Sequence, residues 1–426
     1  MNIISVLIFI SSSLLLVGTY VIWFSRYNIP THFILGTVFV GYLVPLFFTD
    51  MLSEFSPEIV SLYAYILTVG AFFYVAGLLY GFNYIVLDKL IKKPVFMLAP
   101  LDQFLRYRYR ALIFITVIAL VAMALSWMYI GTVPMFAADP FTAKFFRGPY
   151  RDAYMRVAVP YRLSQSILIT VFPIMVAVWF LTRRKILMLL ILLIMIFFSL
   201  ALTRGLVFMG IFTLIALFST KKRIYLFWFI LSYIMVFSIG SAIYFLAGLL
   251  FGSDAYSATN TASAGVWVII AAGSPDIPDQ LNLLTAFEKH GVYTLGRTFV
   301  GGLVPGQYYW NPSAWVLYIL NDSGDISDLA SGGFRIPVAM WGYFSFGWPG
   351  VVIVSAISGV IMGASTRYIK QFISYKKVLT SILALSFYTI ILGFFAGFYV
   401  MSMYALPAAL LLIGLLYKFQ FGSRSR

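Results

Sequence analysis

The chain has 426 residues, of which 62% are hydrophobic, 19% aromatic and only 10% charged, and its mean hydropathy is +0.96. Soluble domains carry roughly a quarter of their residues as charges, so a soluble enzyme, a coiled coil and a disordered chain are excluded, and an all-α polytopic membrane protein is predicted. The absence of cysteine removes disulfides, thiolate catalysis and Cys-ligated metals, while the net charge of +15 raises nucleic acid as a partner until the basic residues are located.

In chain order, apolar stretches of about 20 residues predict membrane spans near 2–24, 31–49, 59–86, 111–131 and 163–182. Two shorter stretches follow, 186–202 and 205–220, and then 224–252, 343–366, 378–397 and 400–417, which makes eleven spans. Read as one helix, 186–220 would be roughly 52 Å long, against a hydrocarbon core of about 30 Å. Basic clusters stand at both of its ends, Arg183-Arg184-Lys185 and Lys221-Lys222-Arg223, so a hairpin with Arg204 at its tip is predicted.

The first span has no basic residues before it and Arg26 just after it, which predicts a retained helix, an outside N-terminus and a cytoplasmic C-terminus. This topology puts nine of the 29 Lys/Arg residues and twelve of the 14 Asp/Glu residues outside. Most of the basic excess is then a cytoplasmic topology signal that also attracts anionic head groups, and no nucleic-acid footprint is left. Two outer segments, 132–162 and 253–342, are long, and function is expected there. Paired Gly/Pro-broken helices of the transporter kind are not evident.

The outer segment 132–162 is basic against the trend, with Lys144, Arg147, Arg151, Arg156 and Arg162 opposed only by Asp139 and Asp152. Guanidinium groups bind phosphate oxygens bidentately, so Arg147 and Arg151 are candidates for holding an anionic head group. The plain alternative is snorkelling to lipid phosphates. Gly148-Pro149 is expected to open a short helix. Arg204 sits between two short apolar arms, a depth at which an ionisable group is by default functional.

In the segment 253–342, PDIPDQLNLLTAFEKHG predicts an amphipathic helix opened by Asp276 or Pro278, with Leu283, Phe287 and His290 on one stripe and Gly291 as C-cap. On that stripe His290 would point inward and could accept a proton from a sugar hydroxyl, although such a histidine is more often simply packed. Glu288 lies on another, solvated face. Arg297 and the loop GLVPGQYYW follow, then Arg335 after Ser331-Gly332-Gly333, with Tyr343, Phe344, Phe346 and Trp348 beyond it. Gly-rich backbone beside arginine can receive a pyrophosphate, and Tyr308, Tyr309 and Trp310 can stack on sugars. An interfacial aromatic belt would explain the aromatic residues and not the arginines. Asp322, Asp325 and Asp328 match no Ca²⁺ loop, and no metal or nucleotide motif occurs.

The TRG hairpin, the Pro-Gly step with Asn311-Pro312, the segment ILNDSGD and GYFSFGWPGVVIVSAISGVIMG resemble the Wzy-type oligosaccharide repeat-unit polymerases, including those of O-antigen and enterobacterial common antigen. The resemblance covers the eleven-span layout and, in motifs, about residues 200–365. It implies a GT-C-type glycosyltransferase in a prokaryotic cytoplasmic membrane, working at the outer face without metal or other cofactor. Donor and acceptor would both be polyprenyl-pyrophosphate-linked oligosaccharides, and a chain-length regulator is a possible partner. Arg147, Arg151, Arg204, Arg297 and Arg335 would bind pyrophosphate, Arg335 would also assist catalysis, and His290 or Glu288 would be the base. The alternatives are a flippase or transporter of lipid-linked oligosaccharides and an O-antigen-ligase-type transferase.

Overall fold

A computed structural model describes residues 3–86, 109–203, 207, 209–219, 221–232, 234–235, 266–272, 274, 276–304, 306–320, 335–373 and 378–395. The architecture is all-helical, with no strand among the described residues. The helices are α1 (Ile3–Val17), α2 (Thr19–Ile22), α3 (Ile29–Val38), α4 (Val44–Phe48), α5 (Pro57–Tyr84), α6 (Tyr109–Ile130), α7 (Pro140–Lys144), α8 (Arg151–Thr182), α9 (Lys185–Leu200) and α10 (Met209–Ser219). They continue with α11 (Arg223–Ser232), α12 (Val266–Ala272), α13 (Asp276–His290), α14 (Arg297–Gly301), α15 (Pro312–Leu320), α16 (Val338–Ile369) and α17 (Val378–Phe395). Among the described residues, five stretches are long and apolar enough to cross a membrane: Ile29–Phe48, Pro57–Tyr84, Tyr109–Phe136, Thr142–Thr182 and Val338–Phe372. The predicted span 400–417 and the part of 224–252 beyond residue 235 lie outside the described residues.

Three boundaries differ from the hydropathy reading. The first predicted span is two helices parted at Gly18. The helix expected to be short after Gly148-Pro149 begins as a single 3-10 turn, Gly148–Tyr150, and then runs without a break to Thr182, so Arg151, Arg156 and Arg162 stand on a long helix and not in a loop. The third difference is in α16. Phe346 and Gly347 have non-helical dihedrals, and Gly347 (φ 63°, ψ −146°) occupies a region essentially reserved for glycine. A Cβ on Gly342 would lie 2.4 Å from Gly350 O, although the two are eight residues apart, and a Cβ on Gly70 would touch both Ala339 and Ser355. Residues equidistant from 346–347 therefore meet, and α16 is a helical hairpin with arms 338–345 and 348–369. Because the first arm is apolar throughout, hydropathy alone merged it with the loop before it and the span after it.

The 186–220 region is two helices, as its length requires. Leu202 takes a left-handed conformation (φ 56°), and Thr203 N–H reaches Phe198 O at 2.9 Å while Leu202 N–H reaches Ser199 O at 2.9 Å. This is the Schellman arrangement, which satisfies the last carbonyls of α9 and turns the chain out of the helix. Arg204 itself lies outside the described residues.

The most extensive helix–helix contact joins α5 to α16. A Cβ on Gly77 would stand 2.3 Å from Ala356 O, on Gly81 2.1 Å from Val360 O, on Gly359 2.1 Å from Tyr74 O and on Gly363 2.2 Å from Leu78 O. The two backbones thus meet directly along a glycine seam, the usual way for helices to associate in lipid, where apolar surface alone gives little driving force.

Between α3 and α4 the chain makes one π turn, Phe39–Leu43, closed by Val44 N–H on Phe39 O. Pro45 explains its position. In a regular helix Pro45 would leave Gly41 O without its donor and press the proline ring against that carbonyl, and the wider turn relieves this. We predict that Gly359→Leu separates α5 from α16 and costs about 2 kcal/mol or more by overpacking, read as a lower unfolding temperature in detergent; an unchanged midpoint would refute the seam.

Candidate functional site

The π turn leaves Gly41 facing α13. A Cβ there would stand 2.2 Å from Asp276 Oδ2 and 3.3 Å from Ser274 Oγ, so only glycine admits the carboxylate. Gly41 is seven residues along the helix from Phe48, about 10 Å at 1.5 Å per residue. Phe48 stacks on Trp267 of α12 at 4.4 Å, so α12 leads from the Phe48 end of this span toward Gly41, and α13 begins there.

Asp276 is the first residue of α13 and is 1% exposed, while Arg335, three residues before α16, is 33% exposed. Arg335 Nε lies 2.8 Å from Asp276 Oδ1. Ser274 Oγ donates to Asp276 Oδ2 at 2.6 Å and in turn accepts from the Arg335 guanidinium. Both carboxylate oxygens are thereby occupied. One turn along α13, buried Gln280 donates to Arg335 O at 2.6 Å and to Tyr42 OH at 2.8 Å, and its carbonyl accepts from Tyr63 OH at 2.5 Å. Four segments, the π turn, α5, α13 and the start of α16, are tied together at this amide.

Burial pushes the Asp276 carboxyl above its ordinary range, and the Arg335 charge with the Ser274 and Arg335 hydrogen bonds pulls it back. Asp279, half-buried on the next turn, is pushed up to about 7 by burial and by the charge of Asp276, against the pull of Arg335. The group combines an oriented, partly exposed guanidinium with a carboxylate that changes charge near neutrality, which is the kind of pairing found where protons or charged ligands are handled.

The other residues singled out in the sequence are distributed elsewhere. His290 was expected to point inward from the apolar stripe; Leu283 and Phe287 are buried, but His290 is exposed, and its Nε2 donates to Ile319 O at 2.7 Å. The last turn of α13 twists past the buried face, and the ring finds the free carbonyl of α15 instead. Glu288 is exposed, as expected, and accepts from Tyr343 OH at 3.0 Å. Gly291 N–H closes the helix on Phe287 O at 2.7 Å.

Arg297, exposed at the start of α14, lies over the ring of Trp310 at 4.9 Å, and Tyr309 packs edge-on against Trp310 at 4.8 Å and Tyr318 at 4.7 Å. Tyr308 shares the 3-10 turn of Tyr309 and Trp310. Arg147 lies over Phe145 at 5.4 Å, and Arg151 is the first residue of α8. Arg162 donates to Tyr154 OH at 2.5 Å and Arg156 to Tyr129 OH at 3.3 Å. Tyr343 and Phe344 are buried in the hairpin, whereas Phe346 and Trp348 at its turn are exposed. The carbonyls of Phe344 and Ser345, freed by the break, accept from Thr294 N–H at 2.9 Å and Leu295 N–H at 3.1 Å.

Asp276, Asp279, Gln280, Ser274, Tyr42 and Tyr63 were not foreseen as site residues. One signal was present: Asp276 and Gln280 stand at i and i+4 at the head of the stripe that Leu284 and Phe287 continue, so a carboxylate was leading an apolar face. No family model matches this chain, and no curated protein or solved structure matches it either.

A carboxyl whose pKa is raised on folding favours the folded state while protonated, and that contribution is lost as pH rises. Arg335→Ala removes the charge that keeps ionised Asp276 tolerable, so it should cost about 3–5 kcal/mol at alkaline pH and clearly less at pH 5. The additional change Asp276→Ala should recover most of the loss. Thermal unfolding of the three proteins at both pH values checks this, and a pH-independent penalty would exclude the pair as its origin.

Proposed function

We propose that the chain is a membrane glycosyltransferase of GT-C type with eleven spans that polymerises polyprenyl-pyrophosphate-linked oligosaccharide repeat units at the outer face of a prokaryotic cytoplasmic membrane. The growing glycan would leave its lipid carrier and join the non-reducing end of the next lipid-linked repeat. The observation that carries this reading is Arg335, which is held by Asp276, Ser274 and Gln280 at the meeting of four segments and is still one-third exposed. The resemblance of residues 200–365 to repeat-unit polymerases adds to it.

On this reading the α12–α13 segment and the arm 338–345 are re-entrant elements. Non-helical backbone is tolerated at such depth only where protein or a polar cavity receives it, and the bonds from Thr294 and Leu295 to Phe344 and Ser345 do this. Arg335 is offset by Asp276 and one-third exposed, so on this reading it orients substrate oxygens more than it adds net charge. Neutralising the departing pyrophosphate would then fall mainly to the other arginines, with Arg147, Arg151, Arg204 and Arg297 as the candidates. Trp310, capped by Arg297 and flanked by Tyr309, supplies an aromatic surface of the kind that sugars stack on.

One observation favours a flippase as the second reading: discontinuous helices such as 338–345/348–369 are also how transporters build their substrate sites. A single assay separates the two. Purified protein in liposomes should convert lipid-linked repeats, extracted from cells deleted for this chain, into a ladder of longer glycans. Arg335→Lys, which keeps the charge but loses the fork, should slow the ladder by at least about tenfold, and Arg335→Ala by more. Movement of the lipid between leaflets without any ladder would favour the flippase.

A further inference from the structure

Transfer of a glycan to a hydroxyl needs a group that removes the hydroxyl proton, and the two residues first considered for this, Glu288 and His290, are poorly placed to work with Arg335. They stand nine and eleven residues beyond Asp279 on α13, about 14 and 17 Å along the helix axis. Each already has a partner there, Tyr343 and Ile319 O. Asp276 is within the Arg335 group, but both of its oxygens are engaged.

Asp279 differs from all three. It follows Asp276 at i+3, a spacing that puts the two side chains on neighbouring positions of one helix edge. It is half-buried, and no hydrogen bond or ion pair ties it to another described residue. The charges that act on it are Asp276 and Arg335. On the elements packed against α13, Tyr42 of the π turn and Tyr63 of α5 are engaged with Gln280 and Tyr318 of α15 with Tyr309, while α5 also carries Glu58 in its first turn and Tyr65, Tyr74, Tyr80 and Tyr84 further along.

Resting on the glycosyl transfer proposed above, we infer that Asp279 is the proton acceptor for the incoming sugar hydroxyl, with Arg335 and Asp276 as the fixed pair that positions it. The hydroxyl O–H bond breaks and its proton passes to the Asp279 carboxylate. The oxygen forms the new bond to the donor's anomeric carbon, and the anomeric C–O bond breaks with its electron pair leaving on the polyprenyl diphosphate. Asp279 then releases the proton to water through its exposed side. Two carboxylates around one guanidinium make this spot neutral or negative, which suits an uncharged sugar acceptor. A carboxyl held near neutrality also has the basicity such a step asks for.

The test uses the full-length chain in liposomes, with lipid-diphosphate-linked repeats extracted from cells lacking the chain as the probe. Wild type should build the ladder at a rate that rises with pH through about 7 and then levels off, because the base works deprotonated. Asp279→Asn should lose about 10²–10⁴-fold in rate, lose the rise near neutrality and still bind the lipid-diphosphate as wild type does. Asp279→Glu should restore part of the rate with the rise moved to a different pH. If Asp279→Asn stays within about tenfold of wild type, below the usual range for a general base, the inference is overturned and the polymerase reading stands. A rise at the wild-type pH in Asp279→Glu overturns it too, whether or not Asp279→Asn folds. If wild type forms no ladder, both readings fall.

Discussion

The arrangement depends on the direct backbone contact between α5 and α16. In lipid, burying apolar side chains gains little, because the acyl chains are as apolar as leucine, and helices hold together where small residues let their backbones touch. Glycines 77, 81, 359 and 363 provide that seam. It fixes more than a pair of helices. Gly70 of α5 receives both Ala339 and Ser355, so the same surface of α5 seats both arms of the hairpin, and the outgoing arm is set by the incoming one. Arg335 stands three residues before the first arm and Tyr63 seven residues before Gly70, so both are brought to Gln280 by a contact in which neither takes part.

Beside that frame the polar side chains around Arg335 are paired with one another. A buried carboxylate is costly unless it is paired and its remaining lone pairs are used. Asp276 meets both conditions through Arg335 and Ser274. Gln280 uses its amide nitrogen twice and its carbonyl once. Room for the carboxylate comes from the π turn and Gly41, and the π turn is placed there by Pro45, four residues on. A backbone rule about proline thus reaches an electrostatic site through one missing Cβ.

Much of the fold was legible in the sequence because hydropathy over 20 residues reports burial in lipid directly. The helices near 59–86, 111–131 and 378–397 stand close to where composition put them, and the length argument that split 186–220 is met by the Schellman turn at Leu202. The hairpin at 346–347 was not legible, since a buried arm of eight residues has the same composition as the end of a span. The Gly-Trp-Pro-Gly run was visible but was placed inside the predicted span 343–366. The site was legible only in part. Arg335 stood out as an arginine kept against the charge trend, whereas its partner is 59 residues earlier and was read as a helix cap. Periodicity carries no information about contacts of that range. His290 shows the opposite error: its spacing from Phe287 matched the stripe, but the helix ends there, and an available carbonyl on α15 decided where the ring went.

The carbonyls freed at the hairpin break have a mechanical meaning. The arm 338–345 and helix α13 are fastened near their beginnings by Arg335 with Asp276 and Gln280, and near their ends by the bonds from residues 294–295 to 344–345. Two parallel rods pinned at both ends cannot slide past one another without breaking both fastenings together. Any opening or closing of this region is therefore a swing of one braced plate that carries Asp276, Asp279 and Arg335 as a unit, and the spacing among the three is preserved while the plate moves.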